Sequence, residues 1–513
     1  MPHPNILLLL TDQQRWDSLS CYGADWIHTP ALDSIASDGA RFNRCYCTNP
    51  ICTPSRASLW TGRHLPGHGV YRLDDILPED QVMFPSHLRD AGYRTGLFGK
   101  LHVSGRRFED EQRHPHDGFD EYEWALEGPL NMDAPMQAYA RWLQEQDASV
   151  YETMRTSGRD LLHIPRELHF THWAHERGRD FIRRNAGTQP FFCCISVFDP
   201  HNPYEDHPNE YRDRVDVSRL PPVLDDRRTD LPYGVERERR GSYLGDIDAF
   251  TEEDTREMRL GYFASLALLD DEVGETLKLL DQLDLSKDTL VIFASDHGDM
   301  LGDHRMLVKG AMFYDACVRV PLLMRRPGHI APGTEVNAAV QPHDIAATIC
   351  AAAGVEPPYA AEEAGITGRD VMPLLRGETE RLHQDIVCLY RNTGINRHTR
   401  DWDPPINASM LFDGRCKLNL YHNDDASAVA LSETPGARPP GELYDMENDP
   451  DELHNLWNDA ASREVRSRLL IRLADWIASR ETAYLGSRGG TAVVPPEQYI
   501  SNTIDPSRGA KHG

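Results

Sequence analysis

Three short apolar runs set the main constraint on how this chain folds. Residues 5–10 (NILLLL), 190–197 (PFFCCISV) and 289–294 (TLVIFA) are nearly free of polar side chains. A strand with one wet face alternates, whereas a strand covered on both faces reads as a continuous apolar stretch, so these three belong inside a parallel sheet flanked by helices. Each run stops at residues able to do chemistry: Asp12-Gln13, then Asp199-Pro200-His201, then Asp296-His297. The carboxyl ends of strands are where open α/β sheets bind ligands, so the three groups fall on one edge. Taken singly they allow blander readings: Asp12 as a helix cap, His201 as a turn residue.

Helical spacing marks residues 30–40, 84–91, 136–146, 167–185 and 342–353. Residues 255–283 form a strong amphipathic helix with Leu260, Phe263, Leu266, Ala267, Val273, Leu277 and Leu280 on one side. Residues 93–98 and 320–324 add strands. Residues 220–254 are charged, rich in turn formers and without a period, which predicts a long loop or insertion of the kind used as a lid or specificity segment. Arg106, Arg107 and residues 114–117 read as an exposed loop without a role. Beyond Gly368 the pattern becomes short alternating runs at 385–390, 409–412, 416–421 and 442–445, which predict a smaller antiparallel sheet, followed by an amphipathic helix at 463–479. The predicted fold class is α/β: a large mixed, mostly parallel sheet sandwiched by helices (1–368), with a smaller C-terminal α+β domain on an antiparallel sheet (369–485). Residues 486–513 are a polar, Gly/Pro-rich tail, either disordered or an arm that wraps a neighbouring subunit in a homo-oligomer.

The formal charge of -27 over 513 residues, without a long Lys/Arg run, argues against nucleic acid as a partner. An acidic protein acting on an anionic substrate must reverse its own field locally, so basic residues near the strand ends are informative. The ten cysteines show no paired metal spacing, which predicts a reduced, cytoplasmic setting. The first apolar run is too short for a signal-peptide core or a membrane span, so no membrane association is expected.

One further stretch is chemically pointed. Cys52-Thr53-Pro54-Ser55-Arg56 places a proline where the first turn of a helix accepts it, with hydroxyls able to cap, and a cysteine just ahead of the helix N-terminus. Free N–H groups and the helix dipole there would lower a thiol pKa or hold an oxyanion. A lone cysteine is more commonly a small hydrophobe in a turn. Followed by Ala57-Ser58 and Thr61-Gly62-Arg63, however, the stretch resembles the signature of the type I sulfatases. Gly99-Lys100-Leu101-His102, Lys309-Gly310 and Glu442-Leu443-Tyr444-Asp445 resemble further motifs of that family, in the same order, from Asp12 to Asn455.

The resemblance implies that Cys52 is converted to formylglycine by a formylglycine-generating enzyme. It implies that Asp12, Gln13, Asp296 and His297, with modified Cys52, hold one divalent cation, Ca²⁺ or Mn²⁺ by ligand type. Gln13 departs from the usual Asp-Asp pair by putting an amide where a carboxylate is common. Arg56, Lys100 and Lys309 are then expected at the sulfuryl oxygens, His201 at the leaving oxygen and His102 beside the hydrate adduct. The implied activity is hydrolysis of a small anionic ester: an arylsulfatase-type sulfuric ester hydrolase, with overlap into phosphonate monoesters and phosphodiesters. The Asp-Gln branch of the alkaline phosphatase superfamily also contains phosphonate monoester hydrolases, some with Tyr and Thr where this chain has Lys100 and His102. A non-catalytic binder of sulfated ligands is the remote alternative.

Overall fold

The computed structural model describes residues 3–480 apart from 129–130, 158–162, 358–366, 394–401 and 423–438. The tail at 486–513 lies outside the described residues. Fourteen strands are described. Ten belong to the first part of the chain: β1 (Asn5–Thr11), β2 (Ala40–Phe42), β3 (Cys45–Tyr46), β4 (Arg94–Gly99), β5 (Glu121–Trp124), β6 (Phe191–Ser196), β7 (Thr289–Ser295), β8 (Arg319–Val320), β9 (Leu322–Arg325) and β10 (Thr334–Val336). Four follow: β11 (Ile386–Arg391), β12 (Asn407–Phe412), β13 (Cys416–His422) and β14 (Gly441–Asp445).

The large sheet runs in the order β10, β2, β9, β7, β1, β6, β4, β5. Only β9 is antiparallel to its neighbours; every other pairing is parallel. The apolar run at 5–10 explains itself in this setting. Leu7 and Leu9 join the cluster beneath the helices Phe170–Asn185 and Glu252–Gln282, while Ile6, Leu8 and Leu10 join the cluster under Cys52–Thr61 and Asp344–Ala353. Both faces are dry, so alternation has nothing to encode; each leucine buried this way contributes about 2 kcal/mol.

Two expectations need correcting. The strand expected at 320–324 is broken at Pro321, which has no N–H for a ladder: β8 pairs with β3 in a separate ribbon and β9 enters the main sheet. The loop expected at 220–254 contains a helix, Tyr233–Gly241, which buries only Gly234, Val235 and Glu238 and so carries no apolar stripe to read. The long helix also starts earlier than its apolar pattern, at Glu252, because Thr251 and Asp254 form a reciprocal capping box ahead of it.

The second sheet is antiparallel in the order β11, β12, β13, β14. Leu469 and Leu473 of the helix Arg463–Ala478 cover one face, packing with Val387, Leu411, Leu418 and Leu443. The proposed division at residue 368 separates the two sheets in sequence, while one buried cluster packs Cys388, Met410 and Tyr444 of the second sheet against Tyr46 and Tyr314 of the first part of the chain. Across it Lys417 Nζ, fully buried, lies 2.6 Å from Asp315 and 2.7 Å from Glu452. Among the described residues, no helix is long and apolar enough to cross a membrane.

Candidate active site

The helix Cys52–Thr61 is buried along its whole length and points its N-terminus at the carboxyl edge of the large sheet. Cys52 is its first residue rather than lying ahead of it, with Ile51 at the cap position. The expected side-chain cap is absent from this turn: Thr53 Oγ1 donates to the Leu73 carbonyl at 2.9 Å, and Ser55 Oγ donates to the Asp296 carbonyl at 2.6 Å. The hydroxyls therefore tie the turn to neighbouring segments, Ser55 directly to the end of β7.

Four adjacent central strands deliver the remaining groups: Asp296 and His297 after β7, Asp12 and Gln13 after β1, His201 beyond β6, and Lys100 after β4. Ligand atoms of Asp12, Cys52, Asp296 and His297 all lie within 4.8 Å of one another, and all four residues are buried. Three of the atoms here have no hydrogen-bond partner: Asp12 Oδ1, Gln13 Oε1 and His297 Nε2. His297 Nδ1 sits 3.0 Å from the Gly298 carbonyl, which places the proton on Nδ1 and leaves Nε2 with a free lone pair. Buried acceptors are normally satisfied, so a carboxylate oxygen, an amide oxygen and an imidazole nitrogen left open together fit a divalent cation. Asp12, Gln13, Asp296 and His297 are the residues that would hold it.

Arg56 takes a different position from the one expected of it. Nε donates to Asp296 at 2.6 Å; Nη1 donates to the Lys100 carbonyl and Ser196 Oγ; Nη2 donates to the Thr11 carbonyl and to Asp12 at 3.1 Å. All five guanidinium donors are thus used inside the protein, holding the two carboxylates apart and in place. Arg56→Ala leaves both carboxylates buried without that cation. We expect it to cost about 3–5 kcal/mol of stability in the metal-free protein, read from denaturant unfolding, with part of the loss recovered on adding the cation.

The basic residues reverse the field of the acidic chain at this point. Lys100 Nζ is 2.6 Å from Asp12 Oδ2, and Lys309 Nζ is 3.1 Å from Cys52 Sγ, 2.9 Å from His201 Nε2 and 3.9 Å from Asp12 Oδ1. Burial alone would push the Asp12 carboxyl up, but Lys100, Lys309 and Arg56 together hold it well below the usual carboxylate range. Burial and Asp12 likewise push the Cys52 thiol up, and Lys309 and Lys100 outweigh them, holding it well below its usual value. His201 is pushed down to about 3 by burial and then by Lys309, so it is a neutral imidazole whose Nδ1 donates to the Asn202 carbonyl at 2.6 Å.

His102 Nε2 lies 3.1 Å from Thr53 Oγ1, one residue from Cys52. Its backbone, at φ 57°, is fixed by Glu109, whose carboxylate also collects N–H groups of Val103, Ser104 and Trp124. Arg106 and Arg107, read as exposed loop, instead open the one-turn helix Arg106–Glu109 that carries this carboxylate, and His114 and Asp117 are buried. A second unforeseen group surrounds Gln13. Tyr262 donates to its carbonyl at 3.1 Å, Asn202 and Asp299 accept from its amide, and Tyr243, out of the 220–254 segment, donates to Asn202 Oδ1 at 2.6 Å. Asp299 was in plain view beside Asp296-His297; its partner is remote in sequence, so no spacing rule marks it.

A buried nucleophile position, an open cation site and two lysines at the carboxyl edge of a parallel sheet define a hydrolase of anionic esters. Residues 4–355 match the sulfatase family model, so the chain belongs to the sulfatase family and is a sulfuric ester hydrolase. It is similar to the choline-sulfatase of Rhizobium meliloti, 30% identical over 88% of this chain and 82% of that one. It is also similar to the arylsulfatase of Clostridium perfringens, 27% identical over 94% and 96%. Among solved structures, the phosphonate monoester hydrolase of Agrobacterium radiobacter superposes with a TM-score of 0.73 at 26% identity, covering 93% of this chain and 96% of that one. The fold and the family resemblance drawn from Cys52 to Arg63 therefore stand.

Proposed function

We propose that the chain hydrolyses sulfate monoesters of the arylsulfatase type through a formylglycine at position 52 and one divalent cation, Ca²⁺ or Mn²⁺. The observation that carries this reading is the open trio of Asp12 Oδ1, Gln13 Oε1 and His297 Nε2 gathered with Cys52 and Lys309 at one strand edge. A bound cation would supply Lewis-acid polarisation of the ester oxygens and favour an ionised nucleophile.

The remaining work falls to the chain. One hydroxyl of the aldehyde hydrate attacks sulfur, the ester O–S bond breaks, and the alcohol leaves with a proton. The second hydroxyl then loses its proton, the C–O bond to the sulfuryl group breaks, and sulfate leaves as the aldehyde reforms. Lys309 and Lys100 neutralise charge on the sulfuryl oxygens, each donor of this kind being worth roughly 3 kcal/mol in the transition state. Arg56 acts through the carboxylates it holds. The proton for the leaving oxygen comes from the hydrogen-bonded pair Lys309 and His201, and His102 faces the hydrate side, beside Thr53.

A phosphonate monoester hydrolase as the main activity is the second reading, favoured by the superposition described above. Maturation by a formylglycine-generating enzyme, a cytoplasmic setting in keeping with ten free thiols, and a homo-oligomeric state belong to the same proposal. The test is peptide mass spectrometry of the active enzyme beside chelation. Aldehyde at position 52 is expected, with activity lost to a chelator and restored by Ca²⁺ or Mn²⁺; active enzyme carrying only thiol overturns the formylglycine reading, and chelator-insensitive turnover overturns the cation.

A further inference from the structure

We propose that Asp299 is a positioning residue for Gln13: its carboxylate pins the Gln13 amide so that Oε1, and not the NH₂ group, faces the cation site. The inference rests on the cation reading given above.

An amide is ambiguous at a metal site, because its two ends are nearly the same shape while only the oxygen can serve as a ligand. Something must choose the end. Gln13 is fully buried, and its Nε2 has two acceptors: Asp299 Oδ2 at 2.5 Å and Asn202 Oδ1 at 3.4 Å. Both hydrogens of the NH₂ group are therefore directed at acceptors, and the opposite end, Oε1, is the one left open. Turning the amide over would aim Oε1 at the Asp299 carboxylate, acceptor against acceptor.

Asp299 is itself held so that it cannot turn away. Its backbone N–H bonds the Ala316 carbonyl at 2.9 Å, and the preceding Gly298 packs so closely that a Cβ there would lie 2.1 Å from the Ala316 oxygen. Oδ1 accepts from the Leu301 N–H at 2.9 Å, while Oδ2 accepts from Tyr204 Oη at 2.6 Å as well as from Gln13. Asp299 is fully buried, and it stands outside the group of ligand atoms formed by Asp12, Cys52, Asp296 and His297. It is a carboxylate placed behind the amide rather than in the site. The chain thus keeps a second carboxyl group behind the amide while presenting a neutral oxygen to the site.

The volume-conserving variant Asp299→Asn separates this role from packing. An asparagine has one acceptor end: with its oxygen on Leu301 its NH₂ faces the Gln13 amide and reverses the pressure on it, and with its oxygen on the Gln13 and Tyr204 side the carboxylate charge is lost and its NH₂ opposes the Leu301 N–H, so the hold on the amide is weakened. We expect the dissociation constant for Ca²⁺ or Mn²⁺, measured by calorimetry on chelator-stripped protein, to rise ten- to hundredfold in Asp299→Asn. In a Gln13→Ala background the same substitution should add less than about twofold, because the residue it acts through is gone. Unchanged cation affinity in Asp299→Asn, or an equal loss in both backgrounds, overturns the positioning role while leaving the site intact. If wild-type protein and Asp12→Ala bind the cation equally, the site reading itself falls, and the Asp299 role with it.

Discussion

Cys52→Ala is expected to remove turnover by about four orders of magnitude or more, the scale on which enzymes lose rate when their nucleophile is deleted. The fold should survive. Cys52 opens a helix whose buried anchors lie further along, at Ala57, Leu59 and Trp60, and its Sγ meets Lys309 rather than the apolar core. Cys52→Ser is the sharper probe. A serine that stays unmodified keeps one oxygen at the position but lacks the second hydroxyl that expels sulfate, so it can accept the sulfuryl group and not shed it. A single-turnover burst of released alcohol followed by arrest is expected, read by rapid-quench kinetics with intact-mass detection of the sulfated protein. Sustained turnover by Cys52→Ser, with serine confirmed by mass spectrometry, would remove the need for a two-hydroxyl nucleophile.

The residues that were legible in sequence share a physical reason. Asp12, Asp296 and the approach to His201 each follow an apolar run, and a run covered on both faces by helices is easily read because few polar residues interrupt it, whereas Lys100, after Arg94-Thr95-Gly96-Leu97-Phe98-Gly99, was legible only from the family motif it resembles. The four antiparallel strands were read from short alternating runs, although the structure covers both of their faces, one by the helix Arg463–Ala478 and the other by the cluster that holds Tyr46 and Tyr314. What could not be read is whatever depends on pairs far apart in the chain. Arg56 sits in the most pointed motif of the sequence, yet its contacts with Asp12 and Asp296 span 44 and 240 residues, so its use as a brace for carboxylates follows only from the packed sheet edge. Glu109 passed unnoticed because its role is to collect backbone N–H groups, which have no sequence signature. Tyr243 lies in a segment without periodicity, just past the Tyr233–Gly241 helix, and its partner Asn202 is 41 residues away in the chain.

Selectivity follows from charge, and Lys309→Ala tests it. Sulfate monoesters, phosphonate monoesters and phosphodiesters are all monoanions at neutral pH, so a site built from Lys100, Lys309 and a cation cannot separate them by Coulomb attraction alone. One site should cleave aryl esters of all three classes. Phosphate monoesters carry nearly one more negative charge, and the extra oxygen charge calls for donors beyond those this site offers: Arg56 has spent its five on the protein, and Lys100 turns one of its three N–H groups to Asp12 at 2.6 Å. They should be clearly poorer substrates. Lys309 is the donor nearest the nucleophile, 3.1 Å from Cys52 Sγ, and in Lys309→Ala kcat should fall about 10²–10³-fold. The fall should be of similar size for the sulfate, the phosphonate and the phosphodiester, measured side by side as kcat and kcat/KM on aryl esters with a common leaving group. Parallel losses show one shared site; if sulfate cleavage falls while the phosphorus esters are spared, they are cleaved elsewhere, and if phosphate monoesters prove best, the charge argument is wrong.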